Sequence, residues 1–355
     1  MGVLGGCDRH EAAPRRALDA AALTASIERE LALNPAIDRL RAVVVVQDGR
    51  VVYEHYPQGS PEEHWNLDAI TGTVVATLVG IAIHEGRLPG LGATLGQLLP
   101  DRSMPPDVAR TNLRQLLTMT AGFDVPATNR TAPFTDPHDP VGKILHSQAN
   151  PPGQFFDYSD QGAHLLGAVL ERATGMSLLT YARIHLFTPL GITTAATTQP
   201  LGTMPAIAAH GPGPSWTVDR SGLLDGWNGL HLRPRDLARL GQVFLDDGRW
   251  HGRQVVPANW AEVATLTQVP TSYEVAPGYG YGWWVDQRHV GSPFYGWGYG
   301  GQLLEVLPRE RVVVAVMTEQ DPANLVRGFF AAELTSLVDQ TILPAVLRAA
   351  AHAGS

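Results

Sequence analysis

Lysine and cysteine are almost missing from this chain. Of its 26 basic residues only Lys143 is a lysine, and Cys7 is the sole thiol among 355 residues. A lone cysteine excludes an intrachain disulfide and a cysteine-built zinc site. Positive charge is also short: 34 acidic residues against 26 basic ones leave a net charge of −8, and no block of Lys or Arg occurs. Without such a block there is no site for counterion release from a phosphate backbone, so no nucleic-acid partner is expected, and anionic membrane surfaces are disfavoured for the same reason. Long hydrophobic runs are absent too. The longest, around Val74 to Ile83, is interrupted by Thr77 and reads as a buried helix, so no transmembrane segment is expected.

What is present is a globular composition, 44% hydrophobic and 17% charged, at a length that suits two structural units or one core with a large insertion. Residues 1–16 read as a flexible leader. Within it, Leu4-Gly5-Gly6-Cys7 is similar to a lipoprotein-processing box but lacks the basic and apolar regions of a signal peptide. Either the true start lies upstream and Cys7 lipid-anchors an exported protein, or the match is accidental and the chain is cytoplasmic.

Helical spacing at Leu18, Ala22, Ile27 and Leu31 predicts an amphipathic helix over 18–33. Two β-branched runs, 41–47 and 51–56, flank Asp48-Gly49, a strong hairpin signal. Residues 70–85 predict a mostly apolar helix ended by Gly86. Further helices are expected over 112–120, 161–173, 177–187, 235–246 and 257–266, and 194–229 reads as a long loop of the kind that often covers a site. Strands return at 281–285, 302–307 and 312–317, with a turn at 308–311 and a final helix over about 323–346. This order predicts an α+β fold: one antiparallel sheet built from both chain ends and flanked by helices, with a mostly helical inserted domain. The expected boundaries are a discontinuous sheet domain of 17–100 and 270–355 and a helical domain of 101–269.

Five blocks carry a resemblance. They are Trp65 to Gly86, with Asp68-Ala69-Ile70-Thr71-Gly72 near its start; Leu113 to Phe123; Pro151 to Asp160, followed by Gly162 and Leu165-Leu166-Gly167; Arg233 to Gly241; and Gly298-Tyr299-Gly300-Gly301-Gln302. In order and spacing they resemble the penicillin-recognising serine hydrolases, which include class C β-lactamases, DD-peptidases, β-lactamase-like esterases and 6-aminohexanoate-oligomer hydrolases. The likeness runs from about residue 40 to 345 and implies a β-lactamase/transpeptidase-like fold.

It also implies three motifs. The first, SxxK, supplies a serine nucleophile and a lysine base on one helical face. Here the ungapped register places Ala69 at the nucleophile and Gly72 at the base. No slip restores the motif, because the residue three before Lys143 is Pro140. Thr71 and Thr73 keep hydroxyls nearby, although a helical threonine more often bonds a carbonyl one turn back. The second motif, usually Tyr-x-Asn, reads Tyr158-Ser159-Asp160. Without the lysine, Tyr158 is expected to be a neutral donor at pH 7. Asp160 would favour a cationic or hydroxyl-rich ligand, or would simply cap the following helix. The third reads Tyr299-Gly300-Gly301 before Gln302, its glycines allowing close approach. The resemblance implies oxyanion donors at the backbone N–H groups of Ala69 and Gln302.

Trp283, Trp284, Tyr295 and Trp297 either line a cleft or belong to the core. Asp68 and Asp160 form a carboxylate pair suited to acid–base work, or are solvated or capping groups. His64, His164, His210, His231 and His289 show no metal-ligand spacing, so neither a metal nor a cofactor is expected.

Three functional readings follow. In the first, the chain is a pseudoenzyme of this hydrolase family that keeps its cleft for a small-molecule ligand, with Tyr158 and Tyr299 as residual catalytic side chains and Asp160, Trp297, Gly300, Gly301 and Gln302 at the ligand. In the second, it is a repurposed enzyme in which Tyr158, Asp160, Asp68 and Tyr299 act by acid–base or electrostatic catalysis on an amide, ester or other small molecule. In the third, a deliberate inactivating substitution has been made, which glycine in place of lysine and the general scarcity of lysine argue against.

Overall fold

Valines 43–46 are built for a strand buried on both faces, and the structure uses them so. The computed structural model describes residues 18–123, 138–194, 198–200, 215–286, 291–319 and 331–351. Strands β1 (Leu40–Gln47) and β2 (Arg50–His55) form the expected hairpin, with Asp48 and Gly49 at φ 49° and 73°. Positive φ at both turn residues is what a two-residue hairpin needs to match the strand twist. The other edge of β1 pairs antiparallel with β8 (Val312–Thr318), Val44 opposite Ala315. The two ends of the chain therefore share one sheet. It has eight strands, in the order β2-β1-β8-β7-β6-β5-β4-β3, where β3 is Val269–Pro270, β4 Gly278–Tyr279, β5 Trp284–Val285, β6 Phe294–Gly298 and β7 Gln302–Leu307.

Several boundaries differ from the expectation. The strand expected over 281–285 is only Trp284–Val285, because Gly282 takes φ 78° and turns the chain before it. Helix α1 (Ala20–Leu33), capped by Asp19, buries Leu23 and Ile27, while Ala22 is exposed. The part of 194–229 that is described is not an open cover: Thr198–Pro200 pairs with Trp216–Val218, and Trp216 and Trp227 are buried. The final helix appears as α6 (Ala331–Leu337), a π-helical turn at Val338–Ile342, and α7 (Leu343–Ala351). Its expected start at 323, the leader with Cys7, His210 and His289 lie outside the described residues.

Helix α2 (Ile70–His84) is buried from Ile70 through Ala82, and Gly86 follows it at φ 70°, as the apolar run and its stop signal predict. It packs against α4 (Asp160–Thr174). Between them in sequence, α3 (Leu113–Leu117) is closed by a capping box of Asn112 and Gln115. Helix α5 (Pro234–Leu245) lies on β1, β7 and β8, where a Cβ added at Gly241 would stand 2.6 Å from Val313. Gly296 likewise faces Ile70 of α2 at 3.3 Å, so α2 and α5 cover one sheet face. The alternate residues of β6 and β7, Tyr295 and Glu305 among them, point to the opposite face, which carries α6.

Candidate functional site

The candidate site is built around Asp68, two residues before the first residue of α2. Asp68 adopts φ 50°, a left-handed conformation that Asp tolerates better than most side chains. This kink turns its carboxylate back on the helix: Oδ1 accepts the N–H of Ala69 at 2.7 Å and that of Tyr299 at 3.1 Å. The Asp68 N–H in turn donates to Asn66 Oδ1 at 2.9 Å. Gly298 makes this approach feasible, since a Cβ there would fall 2.4 Å from the carbonyl of Leu67 and 3.1 Å from the Asp68 Cβ. Gly300 and Gly301, at φ 81° and 98°, complete the tight passage from β6 into β7.

Asp68 and Asp160 are both buried, so the solvated reading of these carboxylates does not hold. Nor is Asp160 the cap of α4. Ser159 fills that position, its hydroxyl accepting the Gly162 N–H at 3.1 Å, and Asp160 is the first helical residue. A serine has the same short reach as aspartate and comes one residue earlier.

Thr71 and Thr73 also differ from the expectation of a bond one turn back. Thr71 Oγ1 accepts the Leu230 N–H at 3.3 Å, and Thr73 Oγ1 donates to the Gly282 carbonyl at 2.8 Å. Gly72, between them, faces Ala163 and Gly226, and an added Cβ would meet them at ordinary contact distances of 3.9 and 3.7 Å.

The neighbouring aromatic rings pack on one another, and Trp283, Trp284, Tyr295 and Trp297 are all buried, so of the two expectations for them the core holds. Tyr158 stacks on Trp284 with the planes 8° apart and the centroids at 5.7 Å, and meets Tyr279 edge-on. Trp284 continues to Trp297 at 5.1 Å, Trp297 to Tyr295 at 5.0 Å, and Phe156 and Tyr273 meet the edges of Trp284. Trp283 leaves this group, packing against Phe244 and Phe294 in the core. The Gln302 side chain turns to β8, donating to the Thr318 carbonyl at 2.6 Å.

Behind Gly72 lies a polar group with no local sequence signal. His164 is fully buried and shares a hydrogen bond of 3.0 Å between Nε2 and Asp219 Oδ2, across 55 residues, while the Gly226 N–H donates to its Nδ1 at 3.4 Å. This arrangement fits the Nε2–H tautomer. Burial raises the Asp219 carboxyl, but hydrogen bonds from His164 and Ser221 outweigh it and leave the group below its ordinary value. Asp225, on the Nδ1 side at 3.7 Å, is pushed up by burial to about 6. Among the described residues no three His, Cys, Asp or Glu side chains converge as metal ligands, and no helix is long and apolar enough to cross a membrane.

The profile of the β-lactamase family matches residues 36–334. The chain belongs to the β-lactamase family. It is 30% identical over 284 residues to penicillin-binding protein 4 of Amycolatopsis lactamdurans, covering 70% of each chain. It is 25% identical to the 6-aminohexanoate-dimer hydrolase of Paenarthrobacter ureafaciens, over 79% of this chain and 73% of that one. Among solved structures, a β-lactamase-like protein from Bacteroides dorei superposes with a TM-score of 0.70 at 20% identity, covering 91% of this chain and all of the other. In this β-lactamase-family chain, then, Asp68, Ala69 and Tyr299 meet at the start of α2, with Gly300, Gly301 and Gln302 following, and Tyr158 joins Trp284 and Trp297. The sequence did not reveal Trp284 as the centre of the buried aromatic cluster, since strand aromatics carry no signal of their partners.

Proposed function

We propose that this β-lactamase-family chain does not hydrolyse amides, esters or β-lactams by an acyl-enzyme, and that it uses the cleft to bind a small molecule that is cationic or rich in hydroxyl groups. The resemblance puts Ala69 and Gly72 where relatives carry the nucleophile and the base, and neither has a functional group to offer. The observation that carries the reading is the Asp68 carboxylate accepting the Ala69 N–H. In relatives that donor is expected to stabilise a developing oxyanion; here an oxyanion would have to displace a carboxylate of like charge. Thr71 and Thr73 are poor substitutes, because both hydroxyls are engaged with backbone groups and neither has a lysine beside it.

The ligand class rests on charge: where the resemblance places the cleft, Asp160 is a carboxylate that accepts hydrogen bonds and cannot donate them as an amide would, Asp68 adds a second carboxylate, and the half-buried Tyr158 offers its phenol. Ligand-detected NMR against matched amines, amino alcohols and penicillin-derived carboxylates tests this, alongside turnover of activated esters. The expected result is binding of the amines, weakened by Tyr158→Ala, and no turnover. Turnover that disappears in Tyr158→Phe would replace this reading with the repurposed enzyme.

A further inference from the structure

We propose that His164 and Asp225 form a proton-operated latch between α4 and the 215–232 segment, in which a proton taken from solvent onto the Asp225 carboxylate is donated to His164 Nδ1 and displaces the Gly226 N–H from it. Its readout needs no ligand, so it stands or falls apart from the function proposed above. Both side chains are fully buried, and the two carboxylates beside the imidazole are unequal. Asp219 Oδ1 accepts the Ser221 N–H at 2.8 Å, the Ser221 hydroxyl at 2.7 Å and the Leu223 N–H at 3.0 Å, and its Oδ2 takes the His164 Nε2 bond. A carboxylate so well supplied with donors stays ionised. Asp225 accepts the Thr217 hydroxyl on Oδ2 at 2.7 Å, whereas its Oδ1 has no hydrogen-bond partner and stands 3.7 Å from His164 Nδ1. Two acceptor atoms face each other across that gap, and one proton turns it into a hydrogen bond.

The two donors exclude one another. Nδ1 carries a single lone pair, and the Gly226 N–H occupies it over a long 3.4 Å. A protonated Asp225 is a second donor to the same lone pair, supplied by the adjacent residue. Burial pushes the Asp225 carboxyl up to about 6, against the opposing pulls of His164 and Thr217, so the exchange of donors falls between neutral and weakly acidic pH. The other titratable groups that face the pair are Asp219 and, on α4 itself, Glu171. From the helices packed on α4, Arg114 bonds Tyr281, Tyr181 bonds Glu85, Lys143 is exposed, and α2 has no titratable side chain from Ile70 to Ile83. Within the 215–232 segment, Arg220 is exposed and His231 bonds the Gly229 carbonyl.

A change of partner at Gly226 reaches the start of α2. A Cβ added at Gly226 would fall 2.3 Å from the Ala163 carbonyl, so this backbone is pressed against α4 and does not shift alone. Three residues on, the Gly229 N–H donates to Asn66 Oδ1 at 3.1 Å, the same oxygen that accepts the Asp68 N–H, and the Leu230 N–H donates to Thr71. The latch therefore joins the protonation of a buried pair to the segment that carries Asp68.

NMR of the isotope-labelled full chain, titrated from neutral to weakly acidic pH, is the test. The expected result is that the Asp225 carboxyl carbon and the Gly226 amide shift with one shared midpoint near 6, and that the Leu230 and Asp68 amides follow with the same midpoint. Asp225→Asn places an amide donor against Nδ1 at every pH while its oxygen keeps the Thr217 bond, so Gly226 should hold its acid-limit position throughout. A Gly226 amide that does not move with the Asp225 carboxyl, one that still titrates in Asp225→Asn, or Leu230 and Asp68 amides that do not follow would overturn the proposal. Thermal unfolding reports whether Asp225→Asn is folded, and if it is not, the wild-type titration decides alone.

Discussion

Asp68 and Tyr299 are 231 residues apart in sequence, yet the Asp68 carboxylate accepts the Tyr299 N–H at 3.1 Å and ties the start of α2 to the turn after β6. The same oxygen accepts the Ala69 N–H, so one buried carboxylate serves two backbone donors from different elements. Removing it leaves both part-buried N–H groups without their acceptor. Asp68→Ala should cost about 2–4 kcal/mol by urea denaturation, combining the lost bonds with the strain of alanine at positive φ. Asp68→Gly relieves that strain and should cost about 1 kcal/mol less than the alanine variant.

The same contact sets the outcome of rebuilding the catalytic motif. Ala69→Ser with Gly72→Lys should show little hydrolysis of activated esters while Asp68 remains. Adding Asp68→Gly frees the donor, and the triple variant should exceed the double by about 10²-fold, the usual effect of one oxyanion donor. Steady-state rates on p-nitrophenyl esters compare them. Equal rates would mean that Asp68 does not block the site.

Two glycines of α2 should respond in opposite directions to the same change. A Cβ at Gly80 would fall 2.1 Å from the Trp260 ring, so Gly80→Ala should destabilise by about 1–3 kcal/mol. At Gly72 the Cβ finds ordinary contacts, and Gly72→Ala should stabilise the helix by up to about 1 kcal/mol. Paired denaturation curves check both.

Glu305 makes stability depend on pH with a definite sign. Its folded-state carboxyl is raised above the ordinary 4.5, first by burial and then by Asp339, Asp286 and Glu310, so the folded protein holds this proton more tightly than the unfolded chain. That contribution is complete below the ordinary carboxyl value and is lost as pH rises toward the raised one. Relative to Glu305→Gln, the wild-type chain should therefore lose stability between weakly acidic and neutral pH, by at most about 1.4 kcal/mol per pH unit. Urea midpoints across that range measure it. Parallel curves for the two proteins would contradict it.

The elements that the sequence announced are those whose local chemistry is enough to define them. Asp48-Gly49 between β-branched runs specifies its hairpin, and the apolar run before Gly86 specifies α2. Strand β6 was hidden because Phe-Tyr-Gly-Trp-Gly carries glycines that normally mark turns; here they make room for Ile70 and Leu67. The cap of α4 was misplaced by one residue, since Ser159 and Asp160 are both good capping types. That residues 69 and 72 carry neither a hydroxyl nor an amine was legible directly. The bonds from Asp68, the His164–Asp219 pair and the burial of Glu305 were not, because each depends on segments brought together by the fold.

Intact-mass spectrometry after incubation with a β-lactam and with a fluorophosphonate tests the central claim most directly. The account predicts an unmodified mass with both probes, because the Ala69 side chain has no oxygen to acylate and the hydroxyls of Thr71 and Thr73 are engaged with backbone groups and have no lysine beside them. A stoichiometric adduct that survives unfolding and maps to Thr71, Thr73 or Ser159 would contradict it.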